Sequence, residues 1–318
     1  MSGENKLSFY ILIIMPKPVE LFKKQFQYLI EKSNCNSKFE MKVKGILNDL
    51  ITNDYFQKTR FEYSLQIING KLNDGLRFVN YDTNYLDSEE QLYLKRVSLI
   101  EKIASSCCKQ SSILDNFFGT VKRLTFVHLP LYIGLELNSK KDLSLKLYLN
   151  FFSLFKKDAV LSRKIIRYIL DELNSGIRIK NRGIALLGWT LNNFGEIVNH
   201  KIYYLYNRQF NLSKSGFSQK ELSVFNWLNQ YNRLSYFDIM ERYNKQGQLI
   251  SKKIEVHPKN NKIILKSLFD IYGNQNTFLK LQEIVDNINS AIEALGIEKE
   301  QLTIYVTMKN YGYPQILL

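Results

Sequence analysis

In the segment Leu143-Ser-Leu-Lys-Leu-Tyr-Leu-Asn150 every odd position is leucine, and the even positions are Ser144, Lys146, Tyr148 and Asn150. A period of two marks an extended strand whose side chains alternate between two faces. The leucine face must be buried against another layer, which leaves the Ser/Lys/Tyr/Asn face to solvent or to a polar cavity. The spelling Lys-x-Tyr returns at Lys201-Ile202-Tyr203. A tyrosine set repeatedly beside a lysine on such a face favours the cavity.

The same periodicity organises most of the chain. Residues 17–52 have apolar spacings of three and four, as in Val19-Glu-Leu-Phe-Lys-Lys-Gln-Phe-Gln-Tyr-Leu-Ile30, and are expected to be mainly helical. A hairpin is expected from the alternating Arg60–Ile67 and Leu76–Asn80, with turn chemistry at Asn69-Gly70 and Asn73-Asp74-Gly75. A helix then runs from Ser88 to about Ser106, with Asp87 as its N-cap. Further strand pairs are expected over 124–137 and 142–151, 182–192 and 198–206, 233–243 and 248–257, and 302–308 and 314–318. Helices fall between them, over 162–174, 218–228, 261–272 and 277–295. The repeating unit is helix, strand, strand, helix, used about five times.

Ten antiparallel strands in one sheet have two open edges unless the sheet closes, and an outer face of leucines needs a cover. A helix-wrapped barrel meets both demands, and its lumen would be wide enough for a substrate. Two packed α+β sheets with their polar sides in solvent are the competing architecture.

Composition narrows the function. The 318 residues are 45% apolar, enough for a large core, and carry 44 Lys and Arg against 30 Asp and Glu, a net charge of +14. Such a surplus suits an anionic partner: a nucleic acid, a membrane surface or a phosphorylated small molecule. The basic residues are dispersed, with no nucleic-acid-binding motif among them. The apolar run Phe9–Met15 stops at Pro16 without a cleavage signal, and no stretch reaches the ~18–20 apolar residues of a membrane span. Three cysteines, Cys35, Cys107 and Cys108, offer neither a disulfide framework nor metal-ligand spacing, and suit a reducing cytoplasm.

The polar faces carry the chemistry. They bring Glu62, Ser64, Gln66 and Arg77, then Tyr132, Glu136, Lys146, Tyr148 and Asn150, then Thr190, Asn192, Lys201 and Tyr203. Later strands add Lys253, Glu255 and His257, then Thr303, Tyr305, Thr307 and Lys309. Four hairpins each supply one cation from the second strand: Arg77, Lys146, Lys201 and Lys253. Like charges gathered in a cavity repel strongly unless an anion neutralises them, and a diphosphate is a natural occupant. If that diphosphate leaves an allylic cation behind, the rings of Tyr148, Tyr203 and Tyr305 can stabilise it by ~0.5–2 kcal/mol each and keep water away. Tyrosines also populate strands simply because strands favour aromatics. Glu62, the only acid on the first hairpin's polar face, is a candidate general base. His128, His200 and His257 lack ligand spacing, and Asp-rich metal–diphosphate motifs, phosphate-binding glycine loops and GxSxG elbows are absent.

Taken in order, Glu62-Tyr63-Ser64, Arg77-Phe78, Lys146-Leu147-Tyr148 and Lys201-Ile202-Tyr203 resemble the aromatic prenyltransferases of the ABBA fold. Within that fold, Leu187-Gly188-Trp189-Thr190-Leu191, Gly134-Leu135-Glu136-Leu137 and Ser144-Leu145-Lys146 resemble the cyanobactin-type peptide prenyltransferases. The likeness covers residues 55–318. Two positions depart from it: Thr190 is more often acidic in that subfamily, and the strand around Lys253 matches poorly.

The resemblance implies an α+β fold, a ten-stranded antiparallel β-barrel surrounded by helices in five α-β-β-α repeats. It would be one domain over 1–318, with a helical part over 1–55 and the barrel over 56–318. It further implies an enzyme that moves a dimethylallyl or geranyl group from its diphosphate to a side chain, Tyr first, of a ribosomally made and often cyclic peptide. A small-molecule phenol or indole prenyltransferase on the same fold and a non-catalytic basic binding barrel are the alternatives. In these terms Glu62 is catalytic, Arg77, Lys146, Lys201 and Lys253 bind diphosphate, and Tyr148, Tyr203 and Tyr305 shield the cation. Mg²⁺ would bridge the diphosphate without a dedicated protein site. The expected partners are an isoprenoid diphosphate donor and a peptide acceptor, with neither nucleic acid nor membrane, and a cytoplasmic monomer is expected.

Overall fold

The protein is described by a computed structural model. The described residues are 7–15, 60–68, 71–81, 90–109, 111–137, 143–212, 216–217, 219–230, 235–255 and 302–308, with isolated positions between 41 and 49. In 7–15, 60–68, 71–81 and 302–308 the description is of backbone, with the side chain of Val79.

Ten strands form one antiparallel sheet. They are β1 (Leu7–Met15), β2 (Arg60–Ile68), β3 (Lys71–Tyr81), β4 (Leu131–Leu137), β5 (Leu143–Asn150), β6 (Ile184–Leu191), β7 (Ile197–Asn207), β8 (Tyr236–Tyr243), β9 (Leu249–Glu255) and β10 (Leu302–Met308). Their order is β10-β1-β2-β3-β4-β5-β6-β7-β8-β9, and the two end strands, β9 and β10, approach each other. Six of them, β4 to β9, are described with their side chains, and these define the two faces of the sheet.

The helices are α1 (Glu90–Cys107), α2 (Ser112–Arg123), α3 (Phe152–Lys157), α4 (Ala159–Glu172) and α5 (Gln219–Gln230). Local chemistry sets their ends. The Ser111 hydroxyl accepts a hydrogen bond from the Leu114 N–H at the start of α2, and Asp158 accepts from Val160 and Leu161 at the start of α4. Between β6 and β7 the Asn192 side chain accepts from the Phe194 and Glu196 N–H groups, while Gly195 takes a φ of 76° that other residues rarely adopt.

One face of the sheet is packed on the helices. Leu145, Leu147 and Leu149 of β5 are buried there with Leu131, Ile133 and Leu135 of β4 and with Leu187, Trp189 and Leu191 of β6. Phe117 and Phe118 of α2 and Ile165, Ile166 and Ile169 of α4 complete this core, and the Phe117 and Trp189 rings meet edge-on at 5.0 Å. The other face has its own buried cluster of Val79, Tyr132, Tyr148, Tyr203 and Met240, with Ala185 and Leu186 packed against it. The alternation in Leu143–Asn150 therefore separates two buried layers, one apolar and one polar and aromatic.

Three expectations are corrected. The apolar stretch at the N-terminus is strand β1, paired with both β2 and β10, so 302–308 finds its partner in 7–15. The Asn73-Asp74-Gly75 turn lies inside β3, where the pairing with β2 shifts between Leu65 and Ile67, a local irregularity that absorbs the extra residues. The expected strand over 124–137 begins only at Leu131, because Thr125–Val127 closes the end of α2 with a 3₁₀ turn. Strand 314–318, helices 261–272 and 277–295, the Asp87 cap, His257 and nearly all of 17–52 fall outside the described residues.

Candidate active site

Cross-strand register assembles the polar face in rows. Glu62, Val79, Gly134, Lys146, Thr190 and Asn199 stand successively opposite one another across β2 to β7. A second row runs Tyr132, Tyr148, Gly188, Lys201, Arg242 and Ser251 across β4 to β9. A third joins Leu186, Tyr203, Met240 and Lys253. Ser64, Arg77, Glu136 and Ser144 form a fourth. Tyr305 stands opposite Tyr10, which stands opposite Gln66. For Glu62, Arg77 and Tyr305 the backbone register is what is described.

Three expected cations are deeply buried on this face: Lys146 is 2% exposed, Lys201 8% and Lys253 3%. The Lys201 Nζ lies 6.0 Å from the centre of the Tyr148 ring, and the Tyr148 and Tyr203 rings meet edge-on at 6.5 Å. A buried ammonium is costly unless charge or dipole answers it. Lys146 is ion-paired with Glu136, and Lys253 with Glu255. The Tyr132 hydroxyl accepts a hydrogen bond from the Asn150 amide at 2.6 Å, which fixes its ring on the same face.

Gly188 makes this arrangement possible. A Cβ there would lie 2.7 Å from two atoms of the Tyr148 ring and 3.4 Å from the Lys201 Cβ. The ring thus lies directly over the backbone of β6, between the two lysine-bearing strands.

Around the cations are polar atoms with no hydrogen-bond partner among the described residues. Thr190 Oγ1, Asn199 Oδ1 and Arg242 Nε are all buried in this way. Buried polar groups are nearly always satisfied by protein, water or ligand, so these three atoms retain capacity for a water or a ligand group. With the lysines and Arg242 the face is suited to an anion rich in oxygen acceptors.

Arg242 is missed by the sequence reasoning, and Gly188 enters it only as part of a motif, without its packing role. Arg242 stands opposite Lys201, but its strand reads Phe237-Asp-Ile-Met-Glu-Arg-Tyr243, with charge on both faces, so alternation does not single it out. Glu241, on the helix-packed face, is 1% exposed and is held by ion pairs to Lys180 and, at 3.9 Å, to Lys252, and by the Tyr243 hydroxyl at 2.6 Å. Burial, with Glu241 beside it, pushes the Tyr243 hydroxyl above its ordinary pKa. That cluster braces the segment after α4 and does not face the lysines.

His200, also on the helix-packed face, is lowered by burial to a pKa of about 4 and is neutral near pH 7. His128 sits in a left-handed turn with its ring 5.3 Å from that of Tyr93. Among the described residues no group of three or more His, Cys, Asp or Glu comes together that could hold a metal ion. Among them, too, no helix is long and apolar enough to cross a membrane.

No protein-family profile matches the sequence, and no curated protein sequence does. Solved structures do match the fold. The apo form of the prenyltransferase PriB superposes with a TM-score of 0.62 at 13% identity, covering 94% of this chain and 99% of that one. A 5-dimethylallyltryptophan synthase from Streptomyces coelicolor superposes with a TM-score of 0.59 at 12% identity, covering 84% of this chain and 87% of that one. The chain thus shares the fold of prenyltransferases over nearly its whole length, an antiparallel sheet with helices on one face.

Proposed function

We propose that the protein is a prenyltransferase that moves an allylic group, dimethylallyl or geranyl, from its diphosphate to an electron-rich acceptor. The observation that carries this is one buried face on which three lysines, two tyrosine rings and three polar atoms without a hydrogen-bond partner among the described residues lie together. The approach of β9 to β10 supports closure of the sheet into a barrel with this face as its lumen.

In this mechanism Lys146, Lys201 and Lys253, with Arg77, bind the diphosphate oxygens. Arg242 adds a guanidinium from the strand beside Lys201. They offset the negative charge that grows on the leaving group as the allylic C–O bond breaks. Tyr148 and Tyr203, with Tyr305, cover the resulting cation: ring faces attract it, and the closed face excludes water that would quench it. Glu62 takes the proton that the acceptor loses when the new bond forms. Mg²⁺, where present, would arrive bound to the diphosphate and help to offset its charge.

For the acceptor, the motif likeness around Gly134–Leu137 and Leu187–Leu191 favours a peptide side chain, tyrosine first. Free tryptophan or a related small aromatic is the second reading, favoured by the fold shared with a dimethylallyltryptophan synthase. Product masses after incubation with dimethylallyl and geranyl diphosphates, Mg²⁺ and a panel of linear and cyclic peptides, tryptophan and simple phenols test both. A peptide gaining one prenyl group supports the first and a modified free aromatic the second. No product from any acceptor, with donor left intact, contradicts prenyl transfer.

A further inference from the structure

Two of the three buried lysines, Lys146 and Lys253, hold carboxylates of their own protein, and the two carboxylates differ. Glu255 is a neighbour of Lys253 on β9 with only 10% of its side chain exposed, so it has little room to leave. Glu136 lies on β4, diagonally across from Lys146 on β5, and its side chain is 28% exposed. In register it also stands opposite Arg77 of β3. Glu136 is therefore an anion of the described face set between β3 and β5, which carry the proposed ligands Arg77 and Lys146, and its side chain has a route to solvent; Asp238, set likewise on β8 between the strands of Lys201 and Lys253, is buried. A diphosphate on Lys146 and a carboxylate on Lys146 compete for the same ammonium protons, and at such separations the two anions repel.

We propose that Glu136 is a resident counter-ion: it gives up Lys146 when the diphosphate enters and reclaims it when pyrophosphate leaves. This rests on the assignment of Lys146 to diphosphate binding. While the lysine has no other anion, the carboxylate keeps the buried ammonium charged and in place. Once the prenyl group has moved, its return weakens the hold on pyrophosphate, the product most tightly attracted to a basic cavity. Glu136 does not touch the reacting atoms; it is a positioning residue whose effect falls on release.

The test is calorimetric titration of inorganic pyrophosphate into the full-length wild type, Glu136→Gln and Glu136→Asp, with initial rates measured on dimethylallyl diphosphate. Removing the competing charge in Glu136→Gln is expected to tighten pyrophosphate binding about tenfold. The KM for the donor should fall with it, and kcat should fall because release slows. Glu136→Asp keeps the charge but draws it back from Lys146, and should tighten binding about threefold, between the other two. It carries the test if circular dichroism shows Glu136→Gln to be unfolded. A wild type that binds pyrophosphate and turns over, with a Gln or Asp variant that binds pyrophosphate equally or more weakly, overturns the counter-ion role alone. A wild type that neither binds pyrophosphate nor transfers a prenyl group overturns it together with the functional reading beneath it.

Discussion

The ring of Tyr148 occupies the space that a side chain on Gly188 would need. A Cβ on Gly188 would stand 2.7 Å from two of its carbons, inside any real contact distance. Gly188→Ala must push the ring away from β6 and disturb Lys201, whose Cβ lies 3.4 Å from the same point. Overpacking of this kind costs about 1–3 kcal/mol. The expected outcome is a lower Tm and a kcat reduced more than the donor KM is changed; an unchanged kcat would show that the position of Tyr148 is unimportant.

The Tyr148 ring, not its hydroxyl, is assigned the work of facing a cation. Tyr148→Phe should keep most of kcat. Tyr148→Leu should lose about 1–2 kcal/mol of transition-state stabilisation, roughly five- to thirtyfold in kcat. Equal losses in both variants would transfer the role to the hydroxyl.

Met240 is buried in the cluster with Tyr148 and Tyr203, in the row that ends at Lys253. Truncating it opens space beside the rings without altering charge. Met240→Ala should raise the preference for geranyl over dimethylallyl diphosphate by about tenfold or more, since pocket volume discriminates by that factor per methylene or two. Competition between the two donors, read by product mass, measures it. An unchanged ratio places the end of the prenyl chain elsewhere.

Much of this face is legible in the sequence, because strict alternation survives where a strand has one apolar and one polar side. In β5 the leucines did mark the helix-packed core and Lys146 and Tyr148 the opposite face. Alternation fails in β1, where the run Phe9-Tyr-Ile-Leu-Ile-Ile-Met15 is apolar at every position and period cannot tell strand from helix. It fails in β8 for the reverse reason: Glu241 is a charge buried on the helix side, made tolerable by Lys180 and Tyr243, which sit far away in sequence or on the same strand. Gly188 carries no chemistry of its own, and its need is visible only when Tyr148 from the next strand is placed over it.

His200 gives a pH dependence. Its folded pKa of about 4 lies below the usual 6.5, so the unfolded chain binds the proton more readily. The neutral form favours folding fully above pH 6.5, and that contribution is lost as pH falls from 6.5 through about 4. The loss amounts to about 3 kcal/mol. Urea unfolding at a series of pH values should show this slope in the wild type and a shallower one in His200→Gln; parallel slopes would mean that His200 is protonated at no cost.

Binding of dimethylallyl diphosphate without acceptor, followed by calorimetry, isolates the claim that the buried lysines form a diphosphate site. Lys146→Ala and Lys201→Met each remove a charged hydrogen-bond donor, worth about 2 kcal/mol, or roughly thirtyfold in Kd. Saturable binding by the wild type, weakened to that degree in each variant and nearly abolished in the pair, is the expected result. Absence of binding by the wild type, or the same affinity in wild type and double variant, would contradict it.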